Sequence, residues 1–312
     1  MTTPHLRIAT RGSPLALAQA HLTRAMLARA HGWDMAKLDE LCPLLIVKTT
    51  GDRIQDRPLA EAGGKGLFVK EIEEALIARE ADIAVHSMKD MPAVHPGGLM
   101  LAAVLPREDP RDIFIAGDGK PFAQLKRNAK LGTSSVRRQA QALRVRPDLE
   151  IVSLRGNVET RLAKLARGEA DGIMLALAGV TRLKLQLPQA QTLDDFLPAL
   201  CQGAIGIEVR EADARARALV APIDDPKTHL AISCERGFLA ELDGSCRTPI
   251  AGLARLSNQT LSFRGEVLSL DGRNFWTASR DILNASRETA NAAGRDAARE
   301  IPALAGDSLP RF

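Results

Sequence analysis

Short apolar runs of four to six residues recur between stretches of helical spacing, and this alternation restricts the chain to an α/β class of fold. The runs are Leu6–Thr10, Leu44–Lys48, Ile83–His86, Met100–Leu105, Ile113–Ala116, Ile151–Leu154, Ile173–Leu177 and Ile205–Val209. Between the first two, Ser13-Pro14 opens a helix to Arg29, with a serine cap and a proline in the first turn. A second helix is expected from Leu67 to Arg79, behind Gly63-Gly64-Lys65-Gly66. A third follows Gly132-Thr133-Ser134-Ser135 and carries Arg137 and Arg138 in its first turns.

Beyond Pro226 the pattern changes. A helix over Thr228–Leu239 precedes an antiparallel meander, in which Glu266–Leu270 and Phe275–Ala278 flank the hairpin signal Asp271-Gly272. An alanine-rich helix and a tail complete the chain. Ile205–Val209 has no partner in this last module and is expected back in the first sheet. The 312 residues suffice for two or three domains of roughly 100–200 residues each. The expected division is 1–105 with 203–223, then 106–202, then 224–312.

Charge is distributed unevenly. The net charge is +4, but the window Lys126–Arg167 holds eleven basic and three acidic residues and so carries +8. A local excess of this kind suits an anion site better than a generally basic surface. Arg144, Arg146, Lys164 and Arg167 read as solvated helix charges. Arg137 and Arg138 differ, because they follow small and hydroxyl residues at a helix N-terminus, where free amides cradle oxyanions. Arg155-Gly156-Asn157 ends a strand, where open α/β sheets bind ligands.

Other classes are excluded on composition. Ten aromatic residues, none of them Tyr, are too few for base stacking along a single strand of nucleic acid. No apolar run approaches the ~18 residues of a membrane span, and no secretory leader is expected at the N-terminus. Cys42, Cys201, Cys234 and Cys246 form no CxxC pair, which argues against zinc and structural disulfides and for a reducing cytoplasm. Lys89 and Asp90 emerge at the end of a strand, where adjacent opposite charges are ordinarily a surface ion pair. Cys246 stands beside Arg247 on a loop, a setting that lowers a thiol pKa.

Six segments together resemble the porphobilinogen deaminase (hydroxymethylbilane synthase) family. They are Arg7–Leu17, Gly63–Phe68, His86–Pro92, Arg107–Asp112, Gly132–Gln139 and Leu154–Val158, in order along one chain. The resemblance implies two periplasmic-binding-protein-like, doubly wound α/β domains facing a cleft, plus a smaller α+β C-terminal domain. It implies a transferase of tetrapyrrole and heme biosynthesis that joins four porphobilinogen molecules head to tail, with loss of ammonia, into hydroxymethylbilane. The implied cofactor is dipyrromethane, held as a thioether on Cys246.

Each pyrrole bears an acetate and a propionate, so the basic window acquires a purpose. The resemblance assigns Lys89, Thr133, Ser135, Arg137 and Arg138 to the cofactor. It assigns Arg11, Ser13, Lys65, Phe68, Arg155, Arg161 and Arg182 to the substrate and growing polypyrrole. Phe68 either stacks on a pyrrole or packs as a helix core contact. Asp90 is the implied catalytic carboxylate: it would stabilise the azafulvenium cation left when ammonia departs, and accept the proton released after coupling.

No metal, nucleotide, nucleic acid or membrane partner is expected, and a monomer is. The competing reading is a non-catalytic binder of small polyanions with the same fold. The chain departs from the family pattern in having Ser245 and Cys201 where glycine is usual. Gly237, inside a helix, costs about 1 kcal/mol against alanine. Thr49–Ala62 is expected to form a lid.

Overall fold

The computed structural model describes residues 5–53, 66–242 and 248–306. Four strands come first: β1 (Ile8–Arg11), β2 (Leu44–Val47), β3 (Ile83–Ser87) and β4 (Leu99–Val104). Five follow: β5 (Asp112–Ala116), β6 (Lys130–Gly132), β7 (Glu150–Val152), β8 (Gly172–Ala176) and β9 (Gln191–Thr192). Then come β10 (Ile205–Arg210), β11 (Ile250–Ser257), β12 (Thr260–Leu268) and β13 (Phe275–Leu283). The chain divides into two compact units, one holding 5–53, 66–108 and 204–229, the other 109–203, 230–242 and 248–306.

In the first unit the sheet order is β2-β1-β3-β10-β4. β1 pairs in parallel with β2 and β3, while β10 runs antiparallel between β3 and β4. Residues 205–210 thus rejoin the first sheet. Alternate residues of each strand face opposite layers. Ile83, Val85, Ile205, Ile207 and Val209 pack with Leu27 of the helix Pro14–His31. Ala84 faces the other way, against Ile72 and Leu76 of the helix Lys70–Ile77. Ser13 caps the first of these helices by accepting the Ala16 N–H at 3.3 Å, as its Ser-Pro signature predicts. The second starts three residues later than its sequence pattern predicts, because 66–69 form a turn.

The second unit holds two sheets. Its α/β sheet has the order β7-β6-β8-β5-β9, with β5 antiparallel to both neighbours. It is covered on both sides: Phe114, Leu131 and Met174 belong to one core, Ile113, Ile173 and Leu175 to the other. The C-terminal sheet is the antiparallel meander β11-β12-β13, and Leu268 pairs with Phe275 across the predicted hairpin. Two α/β sheets and a smaller α+β module are therefore present, as the resemblance implies.

Cys201 occupies the left-handed region at φ 63, a conformation glycine adopts without the steric cost an L side chain incurs. Its N–H donates to the buried Glu235 carboxylate. Gly237 has a different justification. A Cβ there would lie 2.1 Å from the Asn291 carbonyl oxygen of the helix Arg287–Ala305, and one at Gly294 would lie 2.0 Å from the Cys234 carbonyl oxygen. The two helices touch backbone to backbone at these paired glycines.

Packing therefore reverses the sign expected from helix propensity. Gly237→Ala gains about 1 kcal/mol of propensity, but overpacking of this kind costs about 1–3 kcal/mol or more when only backbone can give way. Urea denaturation is expected to show net destabilisation. A stabilised variant would contradict the close crossing.

Candidate active site

Arg11 ends β1, and its guanidinium meets three groups of the first unit. It donates from Nε and Nη2 to Asp52, its Nη1 lies 4.0 Å from Asp90 Oδ2, and its Cζ stands 4.1 Å from the centroid of the Phe68 ring. Phe68 thus acts as a platform for an arginine, at a cation–π distance, which neither sequence alternative foresaw. Asp52 sits on the helical turn Thr50–Arg53 and also accepts from the Thr49 hydroxyl at 2.7 Å. Burial pushes its carboxyl up, but the bonds from Arg11 and Thr49 outweigh this and hold it below the usual range.

Asp90 is half-buried in the 3₁₀ turn Met88–Asp90, which continues directly from β3. With Arg11, Ser13 and Phe68 it lines one pocket. Gln19 and His86, which sequence reasoning missed, contribute to the same wall. Gln19 is 3% exposed and its Nε2 has no partner among the described residues. Lys89, next to Asp90, is also half-buried. Lys65, Ser245 and Cys246 lie outside the described residues, as do positions 54–62 of the expected lid.

In the second unit, Ser135 caps the helix Val136–Val145, accepting the Arg138 N–H at 3.4 Å, and the Ser135 N–H donates to Thr133 Oγ1 at 3.1 Å. Thr133 and Ser135 are thus gathered at one helix N-terminus, as expected. Arg137 and Arg138 have a partner that sequence reasoning did not assign. Asp112, on β5 and fully buried, lies 2.8 Å from each guanidinium. Arg138 also donates to the Met174 carbonyl at 2.9 Å, and Gln202 Nε2 to Asp112 at 2.8 Å. Burial alone would raise the Asp112 carboxyl, but the two arginines hold it far below its ordinary value. The Nε atoms of Arg137 and Arg138 are buried and without hydrogen-bond partners among the described residues.

The remaining basic residues are spread through this unit. Arg155 is half-buried after β7. Arg161 Nε donates to the Gly156 carbonyl at 2.9 Å, and Arg182 Nη2 to the Gly203 carbonyl at 2.6 Å. Arg144 pairs with Glu266 at 2.6 Å and so braces the helix against the C-terminal sheet, not the solvent. Among the described thiols, burial pushes Cys42 up to about 11 and Cys234 up to about 12, which leaves both unreactive at neutral pH.

Comparison with known proteins identifies the family. The family model described as porphobilinogen deaminase, dipyrromethane cofactor binding domain, matches residues 6–218, and that for the porphobilinogen deaminase C-terminal domain matches 229–303. The porphobilinogen deaminase of Nitrobacter winogradskyi is 52% identical over 304 residues, covering 97% of this chain and 94% of that protein. That of Nitrobacter hamburgensis is 51% identical over the same shares. Among solved structures, a BvgS VFT2 domain from Bordetella pertussis covers 70% of this chain and 85% of its own at 14% identity, with a TM-score of 0.42. A periplasmic binding protein from Brucella ovis with glutathione bound covers 76% and 68% at 14% identity, with a TM-score of 0.41.

The buried triad makes a stability prediction. Asp112→Asn leaves two buried guanidiniums without their counter-charge, at an expected cost of about 3–5 kcal/mol near neutral pH. Because the folded carboxyl is depressed, its contribution is present above the unfolded value of ~3.9 and fades as pH falls below it. Urea unfolding of both proteins at pH 7 should give the full deficit, and acid should narrow it. Equal stability at pH 7 would remove the triad from this role.

Proposed function

The chain belongs to the porphobilinogen deaminase family, and we propose that its reaction centre is the pocket where Arg11, Phe68 and Asp90 meet. The enzyme is a transferase of porphyrin biosynthesis that joins four porphobilinogen molecules head to tail into hydroxymethylbilane, releasing ammonia, and uses a dipyrromethane cofactor. The observation carrying the site assignment is the position of Asp90, beside the Arg11 guanidinium in a pocket shared with Ser13 and Phe68.

Dipyrromethane, when bound through Cys246, supplies the pyrrole α-carbon nucleophile from which the chain grows. The donor set fits such a group. The Ser135-capped helix end, with Thr133 beside it, is suited to carboxylate oxygens. Lys89, Thr133, Ser135, Arg137 and Arg138 are assigned to the cofactor acetates and propionates. Arg11, Ser13, Lys65, Arg155, Arg161 and Arg182 are assigned to those of the substrate and growing chain. Phe68 holds Arg11 in place for this task.

Asp90 has two jobs. The porphobilinogen aminomethyl group, an alkyl amine with a pKa of ~10, arrives protonated and leaves as ammonia. The carboxylate faces the positive charge that then develops on the substrate pyrrole nitrogen and stabilises it electrostatically. After the new carbon–carbon bond forms, the same carboxylate accepts the surplus proton from the coupled ring. The modules 1–105 with 203–223, 106–202 and 224–312 divide the work: acid–base chemistry, anion binding and cofactor attachment. The protein acts as a cytoplasmic monomer, without nucleic acid or membrane. Among the described residues no helix is long and apolar enough to cross a membrane.

Two measurements test this reading. Intact mass spectrometry should show two pyrrole units on the purified protein and none on Cys246→Ser; a bare chain that still makes product would refute the assignment. Asp90→Asn should lower turnover about 10²- to 10⁴-fold, the range of a lost acid–base group. Near-normal turnover would remove Asp90 from the chemistry.

A further inference from the structure

The turn that carries Lys89 and Asp90 lies against β10, and β10 contributes a buried charge close to it. Glu208 is fully buried. It stands opposite Ala84 in the antiparallel register, with Gly206 opposite His86, so both pairs project on the same side of the sheet. Its Oε2 lies 3.0 Å from His86 Nε2 and its Oε1 lies 2.8 Å from His95 Nδ1. One histidine precedes the turn and the other follows it.

We propose that Glu208 is a positioning residue for the reaction, stapling both flanks of the Lys89–Asp90 turn to β10 through His86 and His95. The proposal rests on the assignment of the chemistry to Asp90.

Three observations support it. A carboxylate only accepts, so both rings must donate, His86 from Nε2 and His95 from Nδ1. Each ring is thereby fixed in orientation as well as position. Second, β10 and the residue before it grip the same turn at two other points. The Met88 N–H donates to the Ala204 carbonyl at 3.1 Å, and the Met88 side chain fills the space of a Cβ at Gly206, whose ideal position is 2.1 Å from the sulfur. Third, Glu208 keeps its charge at a neighbour's expense. Burial raises its carboxyl, but the two imidazoles outweigh that and hold it at about 2. Glu73, projecting from the helix Lys70–Ile77, is instead pushed up to about 7, by burial first and then by the charges of Glu208 and Glu74. A buried anion is costly, and apolar residues of similar size often serve stability as well or better. An anion that engages the segments on either side of Asp90 serves geometry.

His95 is the practical handle, because its side chain is 19% exposed and its removal spares the core. Expected for His95→Ala is a roughly ten- to hundredfold loss of kcat, the effect of a small misplacement of a reacting group, with KM within about twofold of wild type. The protein should still carry both pyrroles by intact mass. His95→Gln, which retains an N–H donor, should recover most of the loss. Amide hydrogen exchange at Lys89 and Asp90 should accelerate in His95→Ala and not in His95→Gln. Nitrogen-15 spectra of the wild-type rings should report protons on His86 Nε2 and His95 Nδ1, and Glu208→Gln should disturb at least one of them.

Unchanged kcat and unchanged amide exchange in His95→Ala would overturn the proposal, as would equal losses in His95→Ala and His95→Gln. Asp90→Asn separates the two readings. If it is inactive while His95→Ala is normal, only the staple fails. If it turns over normally, the assignment of Asp90 fails, and amide exchange still decides whether the staple exists.

Discussion

Asp112 sets the terms for the second unit. A fully buried carboxylate is tolerable only when donors meet its oxygens, and here Arg137, Arg138 and Gln202 converge on it from a helix and a loop. The arrangement draws two guanidiniums into the interior behind the Ser135-capped helix end. It also joins β5, which runs antiparallel to β8 and β9, to the helix Val136–Val145. The charge excess visible in the sequence is thus not simply displayed to a ligand. Part of it is anchored internally, on Asp112.

The first unit solves the same problem with different donors. Glu208 is met by two imidazoles, and Asp52 by Arg11 and Thr49. In both units buried or half-buried carboxylates orient cationic or ring side chains: Asp112 holds Arg137 and Arg138, Asp52 holds Arg11, and Glu208 holds His86 and His95. With so few aromatic rings, the proposed site draws on charge placement more than on stacking. Phe68 illustrates the economy, since its ring supports Arg11.

Local features were legible in the sequence. The Ser13-Pro14 cap, the strand running into Lys89-Asp90 and the hairpin at Asp271-Gly272 all rest on interactions within a few residues, and the structure contains each. The residue motifs likewise led to the right family. What escaped was long-range. Glu208 pairs with His86 across 122 positions, and Asp112 with Arg138 across 26; no spacing rule couples such residues. β6 and β9, three and two residues long, are too short for a periodic signal. Gly237 was read as a defect of its helix because its partner, Gly294, lies on another one. Arg144 read as a solvated charge because nothing local marks Glu266 as its counterpart.

The route of the chain has a consequence for synthesis. β4 is complete at Val104, but β10, which separates it from β3, begins only at Ile205. The hundred intervening residues take about 5–20 s to emerge at ordinary translation rates of ~5–20 residues per second. Until then the nascent first sheet has two strands without their common neighbour, and the turn bearing Asp90 lacks Ala204, Gly206 and Glu208. The proposed reaction centre is therefore among the last parts of its own unit to be completed, although its motifs are encoded within the first hundred residues. A ribosome that stalls inside 109–203 leaves a sheet with an open edge, the kind of surface on which chaperones act and through which unfinished chains associate.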